Sequence, residues 1–361
     1  MGENSSGTSK ITLLVPTMNR SEFLIRLLRY YGAIGFQGSL CIGDSSSREH
    51  VERTKRAIDS LSGKLNIVYR EYPNVKHPQC MQQLVGLIPT SYAAHLADDD
   101  FLVPAALERC AMFLEAHSEY GAAHGLGILF SLESSGPHGK FAAVGRYGLR
   151  PIEAESASQR LLNHLRNYSV TLFSVHRVES WRLMYKDISL MTDRAFAGEI
   201  MPCCLSVIQG KVKELDCFYL VRQTHPQRYD LPDVYDWIAS PDWLPSYEIF
   251  CDCLTAELAR QDGISLGDAR EVVKQAFWSY LAQGMMLGWQ ERYGQDGSML
   301  YSRWREVARH VPGLRKAWHG LRSFLPGVDN QMSLQALLRP SSPYHADFMP
   351  VYRAITTAPE K

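Results

Sequence analysis

No run of this chain reaches the roughly 18 uninterrupted apolar residues that a membrane-spanning helix needs, so a spanning segment is not expected. Residues 1–10 are polar and rich in Gly and Ser. They lack the apolar core of a secretory leader and read as a flexible N-terminus. An excess of either charge is missing too, since 38 Lys and Arg face 38 Asp and Glu. That balance removes the global field that draws proteins to nucleic acid or to an anionic membrane, so any anion must be held locally. The eight cysteines form no C-x-x-C pair and several sit inside apolar runs, which reads as reduced core thiols rather than a disulfide or zinc framework. A G-x-x-x-x-G-K-[ST] phosphate loop, a G-x-S-x-G nucleophile elbow and an H-E-x-x-H metal pair are also lacking, and the enzyme classes built on them recede.

What is present suffices for a large core. Apolar residues make up 45% and charged residues 21% of the 361, an ordinary globular composition. The length exceeds the usual single-domain size of about 100–150 residues, so one large domain with an appendage, or two domains, is expected. The first hundred residues alternate apolar runs with amphipathic segments in α/β order. Residues 11–15 read as a strand ending at Pro16. A helix over 21–31 follows, with Phe23, Leu24, Leu27, Leu28 and Tyr31 on one face and Ser21 as its cap. Further strands are expected at 40–43, 65–69 and 92–97, and helices at 49–61, 80–87 and 104–116. A hairpin over 122–130 and 141–147, a helix over 156–164 and a strand over 169–175 come next. Beyond Pro241 the pattern turns helical, through 247–260, 269–287 and 300–310. The boundary falls near residue 235, giving an α/β domain over 11–235 and an α-helical region over 236–361.

In open α/β sheets the ligand crevice lies beyond the carboxyl ends of the strands, and three polar clusters fall there: 17–20, 44–47 and 98–100. They are expected to converge. Asp98, Asp99 and Asp100 are three adjacent carboxylates at the end of an apolar strand, and like charges that close raise one another's pKa unless a cation or hydrogen bonds offset them. A divalent ion with oxygen ligands would do so, and Mg²⁺ is commonly held by one or two carboxylates together with substrate phosphates. The alternative is a loop whose acids cap the helix that starts near Pro104.

Val15-Pro16-Thr17-Met18-Asn19-Arg20 resembles the first-strand V-P-T-x-N-R signature of the GT-A glycosyltransferases of the family 2 type. Ile42-Gly43-Asp44-Ser45-Ser46 is similar to the second-strand D-D-G-S element of that family, and the segment YAAHLADDDF over 92–101 to the strand that delivers the DxD motif. Gly198-Glu199, followed by Gly210-Lys211-Val212, resembles the segment that carries the catalytic acid. The resemblance covers about residues 11–228. Three departures stand out: Ala97 and Gly43 where acids are common, and Gln82-Gln83 where Arg-Asn is common.

The resemblance implies a Rossmann-like nucleotide-sugar-binding domain with a mixed central sheet. It also implies an enzyme that moves a sugar, UDP-linked before others, to an acceptor hydroxyl with inversion, with Mg²⁺ or Mn²⁺ as cofactor. Pro16, Thr17 and Arg20 would line the base and phosphate pocket, with Asp44 and Ser45 beside the nucleoside and Lys76 or His77 as further contacts. Asp98 and Asp99 would lie near the ribose, Asp98 and Asp100 at the metal, and His225 would join it. Glu199, or else Asp193, would be the base that takes the acceptor's proton. The implied acceptor is a carbohydrate or a lipid-linked one, with no nucleic-acid partner. The implied setting is the cytoplasm, with at most peripheral contact at the inner face of a membrane, in bacterial polysaccharide or glycoconjugate synthesis.

Residues 314–325, with Arg315, Lys316 and Arg322 beside Trp318, Leu321 and Phe324, suit either a helix on a membrane surface or one packed on the protein. Trp237 and Trp243 suit either sugar stacking or core packing. Two other functions fit an acidic α/β site. One is a sugar nucleotidyltransferase, although its Gly-rich basic first loop is missing; the other is a binding protein on the same fold without catalysis.

Overall fold

The first strand, β1 (Ile11–Thr17), is buried along its whole length because it runs through the middle of a sheet, as an unbroken apolar run in an α/β fold should. The computed structural model describes residues 10–227, 233–293 and 330–358. β1 lies parallel to β2 (Ser39–Asp44) on one side and to β4 (Tyr92–His95) on the other, with β3 (Asn66–Glu71) beyond β2. The sheet then turns mixed. β8 (Val175–Arg177) runs antiparallel to β4 and to β6 (Tyr120–Leu132), and β9 (Lys211–Gln223) lies parallel to β6. β5 (Phe101–Leu102) closes that edge, and β7 (Phe141–Tyr147) folds back on β6 as a hairpin.

Strand side chains alternate between two cores, as the two-residue period requires. Leu14, Cys41 and Ala93 belong to one hydrophobic cluster, whereas Leu13, Val15, Leu40, Ile42 and Ala94 belong to the other. Helices α1 (Ser21–Ala33) and α4 (Pro104–Ala116) contribute to the second cluster, and α3 (His77–Val85), α5 (Ala157–Arg166), α6 (Val178–Met184) and α7 (Met201–Gln209) to the first. α2 (Arg48–Ser60) packs beside α1 with only Val51 and Thr54 buried.

The helical region after residue 235 serves both faces. α8 (Val234–Ile238), α9 (Trp243–Asp262) and α10 (Leu266–Tyr293) insert Trp237, Phe250, Leu254 and Phe277 into the cluster that holds Trp181 and Met201. After the short α11 (Leu334–Leu337), α12 (His345–Thr356) crosses to the other face, where Phe348 meets Phe218 at 5.8 Å. The segments expected to be helical at 300–310 and 314–325 lie outside the described residues. No helix among the described residues is long and apolar enough to cross a membrane.

Two local expectations are corrected. Residues 169–175 do not form a continuous strand. A 3₁₀ turn, Thr171–Phe173, precedes β8, because the Thr171 carbonyl accepts from Ser174 N at 2.9 Å and from His176 Nε2 at 2.8 Å. Ser21 does not cap α1: Arg20 is the capping residue, and the Ser21 hydroxyl pairs with His50 Nδ1 at 2.9 Å. Gly43 has a packing reason, since a Cβ there would meet Cys80 Sγ of α3 at 2.5 Å. Gly210 likewise lets β9 start against β6, where a Cβ would lie 2.5 Å from the Gly121 nitrogen.

Candidate functional site

Asn19 joins the first two strand ends. Its φ of 57° is a left-handed conformation that a short amide side chain tolerates better than most residues. From that position its backbone N–H donates to Ser46 Oγ at 2.7 Å, and its Oδ1 accepts from Ser47 N at 2.8 Å. Ser45 N–H donates to the Thr17 carbonyl at 2.9 Å. Asp44 closes the β2 end by accepting from Ser46 N at 2.9 Å and from the Tyr69 hydroxyl at 2.8 Å. The clusters at 17–20 and 44–47 are therefore one rigid rim.

The three carboxylates at 98–100 reach this rim almost fully buried, at 0%, 3% and 1% exposure. Asp98 accepts from Thr17 Oγ1 at 2.6 Å and pairs with Arg20 Nη2 at 2.6 Å. Asp99 Oδ2 accepts from Arg20 Nη1 at 3.0 Å and from His225 Nε2 at 2.7 Å. Asp100 accepts from Arg222 Nε at 2.8 Å and from Gln223 N at 3.0 Å. Behind them Arg26 donates to the Asp99 carbonyl at 2.6 Å and to Gln223 Oε1 at 2.6 Å, its guanidinium lying 4.7 Å from the Phe101 ring centroid.

The electrostatics follow from this pairing. Burial pushes the Asp98 carboxyl up to about 7 against the pull of Arg20, and the Asp100 carboxyl up to about 6 against that of Arg222. Burial also opposes ionisation of Asp99, but the hydrogen bond from His225 and the charges of Arg20, His225 and Arg222 outweigh it and hold that carboxyl at about 2. Of the trio, Asp99 is the member whose charge is secured.

Asp99 is also the member that lines a cavity of about 160 Å³ between the sheet and the segment that precedes α7. Pro16, Arg20, His95 and Arg222 come to its wall from the strand side, and His77, Arg194 and Glu199 from the helical side. Glu199 sits in a π-helical turn, Phe196–Ile200, that runs into α7, and its Oε1 accepts from the Tyr168 hydroxyl at 3.1 Å. π-turns of this kind are frequent at functional sites. Burial holds His95 near 3, and burial together with the charges of Arg194 and Arg20 holds His77 near 4, so both imidazoles are neutral at pH 7. A second hollow of about 450 Å³ lies on the other side of the Asn19 loop, against Ser45–Ser47, Asn74 and Lys76.

The structure thus brings Pro16, Arg20, Asp99 and Glu199 to one cavity, and Ser45 and Lys76 to the neighbouring hollow. Thr17, Asp98, Asp100 and His225 stand behind the cavity wall as hydrogen-bond partners, and both Asp44 oxygens are taken by the protein. Asp193 is not brought to the cavity. Its Oδ1 accepts from Phe196 N at 2.9 Å and its Oδ2 from Trp237 Nε1 at 2.9 Å, which pins the start of the Glu199 turn to α8. Trp237, 4% exposed, packs in an aromatic cluster with Phe196, Trp243 and Phe277, so it is core and not a sugar platform.

Sequence reasoning missed Arg222, Arg26 and His95. Each is a polar residue on an otherwise apolar pattern: Arg222 ends the run CFYLV, Arg26 shares the face of Phe23 and Tyr30, and His95 interrupts YAAHLA. A charge that must be buried by periodicity was the available signal.

Asp98 and Asp100 do not fit a divalent ion as they stand. Both oxygens of Asp100 and Oδ2 of Asp98 accept hydrogen bonds from the protein, and Asp98 Oδ1 is ion-paired with Arg20 at 2.6 Å. Among the described residues no three His, Cys, Asp or Glu side chains converge as a ligand set.

No family model matches the chain and no curated protein matches it. Among solved structures it is similar to S. aureus TarS 1-349 in complex with UDP-GlcNAc, at 13% identity over 80% of this chain and 77% of that one, with a TM-score of 0.49. A longer solved chain of S. aureus TarS matches at 12% identity and a TM-score of 0.48; the match takes in 80% of this chain but only 46% of that one. The mannosyltransferase PcManGT from Pyrobaculum calidifontis, in complex with GDP-Man and Mn²⁺, matches at 10% identity over 87% of this chain and 84% of that one, with a TM-score of 0.41.

Proposed function

We propose that this chain is a GT-A-type glycosyltransferase that moves a sugar from a nucleotide-diphosphate sugar, a UDP-sugar before others, to an acceptor hydroxyl with inversion. The observation that carries the reading is convergence: the carboxyl ends of β1, β2 and β4 meet at one rim, beside a cavity that Glu199 also lines. In this reading the hollow at Ser45 and Lys76 takes the nucleoside, and the cavity with its arginines takes the diphosphate and the sugar.

Glu199 acts as general base. The acceptor oxygen bonds to the anomeric carbon as its proton passes to a Glu199 carboxylate oxygen, and the bond from that carbon to the diphosphate breaks with its electron pair leaving on the diphosphate. The hydrogen bond from Tyr168 holds the carboxylate in place. Asp99 orients Arg20. The acceptor is a carbohydrate or a lipid-linked one.

The test is nucleoside diphosphate release from UDP-, GDP- and CDP-sugars in the presence of candidate acceptors. Release that disappears in Glu199→Gln while nucleotide binding survives supports the transferase. Binding without release in the native protein, whichever sugar acceptor is supplied, turns the reading to a non-catalytic binding protein.

A further inference from the structure

The cavity is lined by three arginines, Arg20, Arg194 and Arg222, and by the carboxylates Asp99 and Glu199, with Asp98 and Asp100 paired to Arg20 and Arg222 behind its wall. The carboxylates that would ordinarily recruit a metal are instead spent on two of those arginines. Arg20 pairs with Asp98 and Asp99, and Arg222 pairs with Asp100. Arg222 is also held from the side by the Tyr147 hydroxyl at 2.8 Å and by the Phe173 ring, 4.1 Å from its guanidinium carbon. An arginine fixed on several sides is preorganised for an anion, since little rotamer freedom is left to lose.

A second observation is independent of these ion pairs. His95 lines the same cavity and is 7% exposed, and neither of its ring nitrogens has a hydrogen-bond partner. Its ring is held edge-on by Phe173 at 5.3 Å and by His77 at 5.9 Å. A buried imidazole left unpaired is costly, and a neutral one always presents one N–H donor. A ligand oxygen in the cavity would satisfy it.

Resting on the glycosyltransferase reading, we propose that this site binds the donor's diphosphate without a divalent cation: Arg20, Arg194 and Arg222 supply the positive charge and His95 donates a hydrogen bond to a phosphate oxygen. The arginines stabilise charge on the departing diphosphate as fixed cations do. Asp98, Asp99 and Asp100 act as positioning residues for Arg20 and Arg222.

The experiment is titration calorimetry of the full chain with UDP, GDP and CDP, in excess EDTA and again in Mn²⁺. The expected result is that one nucleotide binds in EDTA with a Kd within about threefold of its value in Mn²⁺. His95→Phe should fill the same space, keep the melting temperature, and weaken that binding by about ten- to a hundredfold, the usual loss of a hydrogen bond to a charged group. Binding that needs Mn²⁺, or is more than about tenfold weaker in EDTA, overturns the metal-free site and leaves the transferase reading intact. Binding by none of the nucleotides under either condition overturns both. An unchanged Kd in His95→Phe removes His95 from the site.

Discussion

Replacing Arg222 by Met removes the partner of a carboxylate that is 1% exposed and keeps the aliphatic bulk. Taking one member from a buried ion pair costs about 3–5 kcal/mol when the other must stay charged. Asp100 has an escape, because burial already pushes its carboxyl up to about 6 although Arg222 pulls it down. Without Arg222 it rises further and takes a proton at neutral pH. A carboxyl raised in the folded state holds a proton that the unfolded chain has released, so stability falls as pH rises up to the folded pKa.

In the native protein that fall ends near pH 6, whereas in Arg222→Met it continues above. The stability gap between the two should therefore be smallest at pH 5, where Asp100 is protonated in both. It should then widen by about 1.4 kcal/mol per pH unit above pH 6. At pH 8 that widening, about 2.8 kcal/mol, corresponds to a fall in melting temperature of roughly 4 °C for a chain of this size. Circular-dichroism melts from pH 5 to 8.5 read it directly. Adding Asp100→Asn removes the buried charge while keeping an acceptor for Gln223 N, and should recover at least half of the loss at pH 8. A gap that does not change with pH, or a double variant no more stable than Arg222→Met, would refute the reasoning.

Three further outcomes follow. Glu199→Gln should lower sugar transfer by about 10²- to 10⁴-fold, the range for loss of a general base, with nucleotide Kd within about twofold; calorimetry beside a release assay checks it, and full activity would remove Glu199 as the base. His164, on α5, is held near 3 by burial alone and its ring nitrogens have no partner. The unfolded chain takes up a proton below about pH 6.5 that the folded chain refuses, so its contribution is present above that pH and fades below it; His164→Leu should gain on the native protein by about 1.4 kcal/mol per unit between pH 6 and 4, and parallel urea-denaturation curves would sink the idea. Phe196→Ala should cost about 3–5 kcal/mol, because its ring lies among Trp237, Phe250 and Phe277 at 4.9–5.6 Å; a loss under about 1 kcal/mol in the urea midpoint would show that the cluster collapses around the gap.

The sequence by itself determined the strands and helices through residue 116 apart from β5, because their patterns repeat every two or every three to four residues and need only near neighbours, whereas β5 exists only through its pairing with β9. It also determined that the clusters at 17–20, 44–47 and 98–100 share one edge, since parallel strands deliver their carboxyl ends together.

Which carboxylate meets the cavity was decided only in three dimensions. Arg20 reaches Asp99 across 79 positions, Arg222 reaches Asp100 across 122, and His225 reaches Asp99 across 126. The partners from residues 222 and 225 are set by the register of β9 against β5 and β6, which is a property of packing and not of any local pattern. A run of three acids reads as a metal site when its counter-charges are out of sight. Once β9 brings Arg222 and His225 alongside, and α1 starts with Arg20, the same acids are neutralised from within the protein, because an ion pair between groups already buried needs no further ion dehydrated to stabilise it.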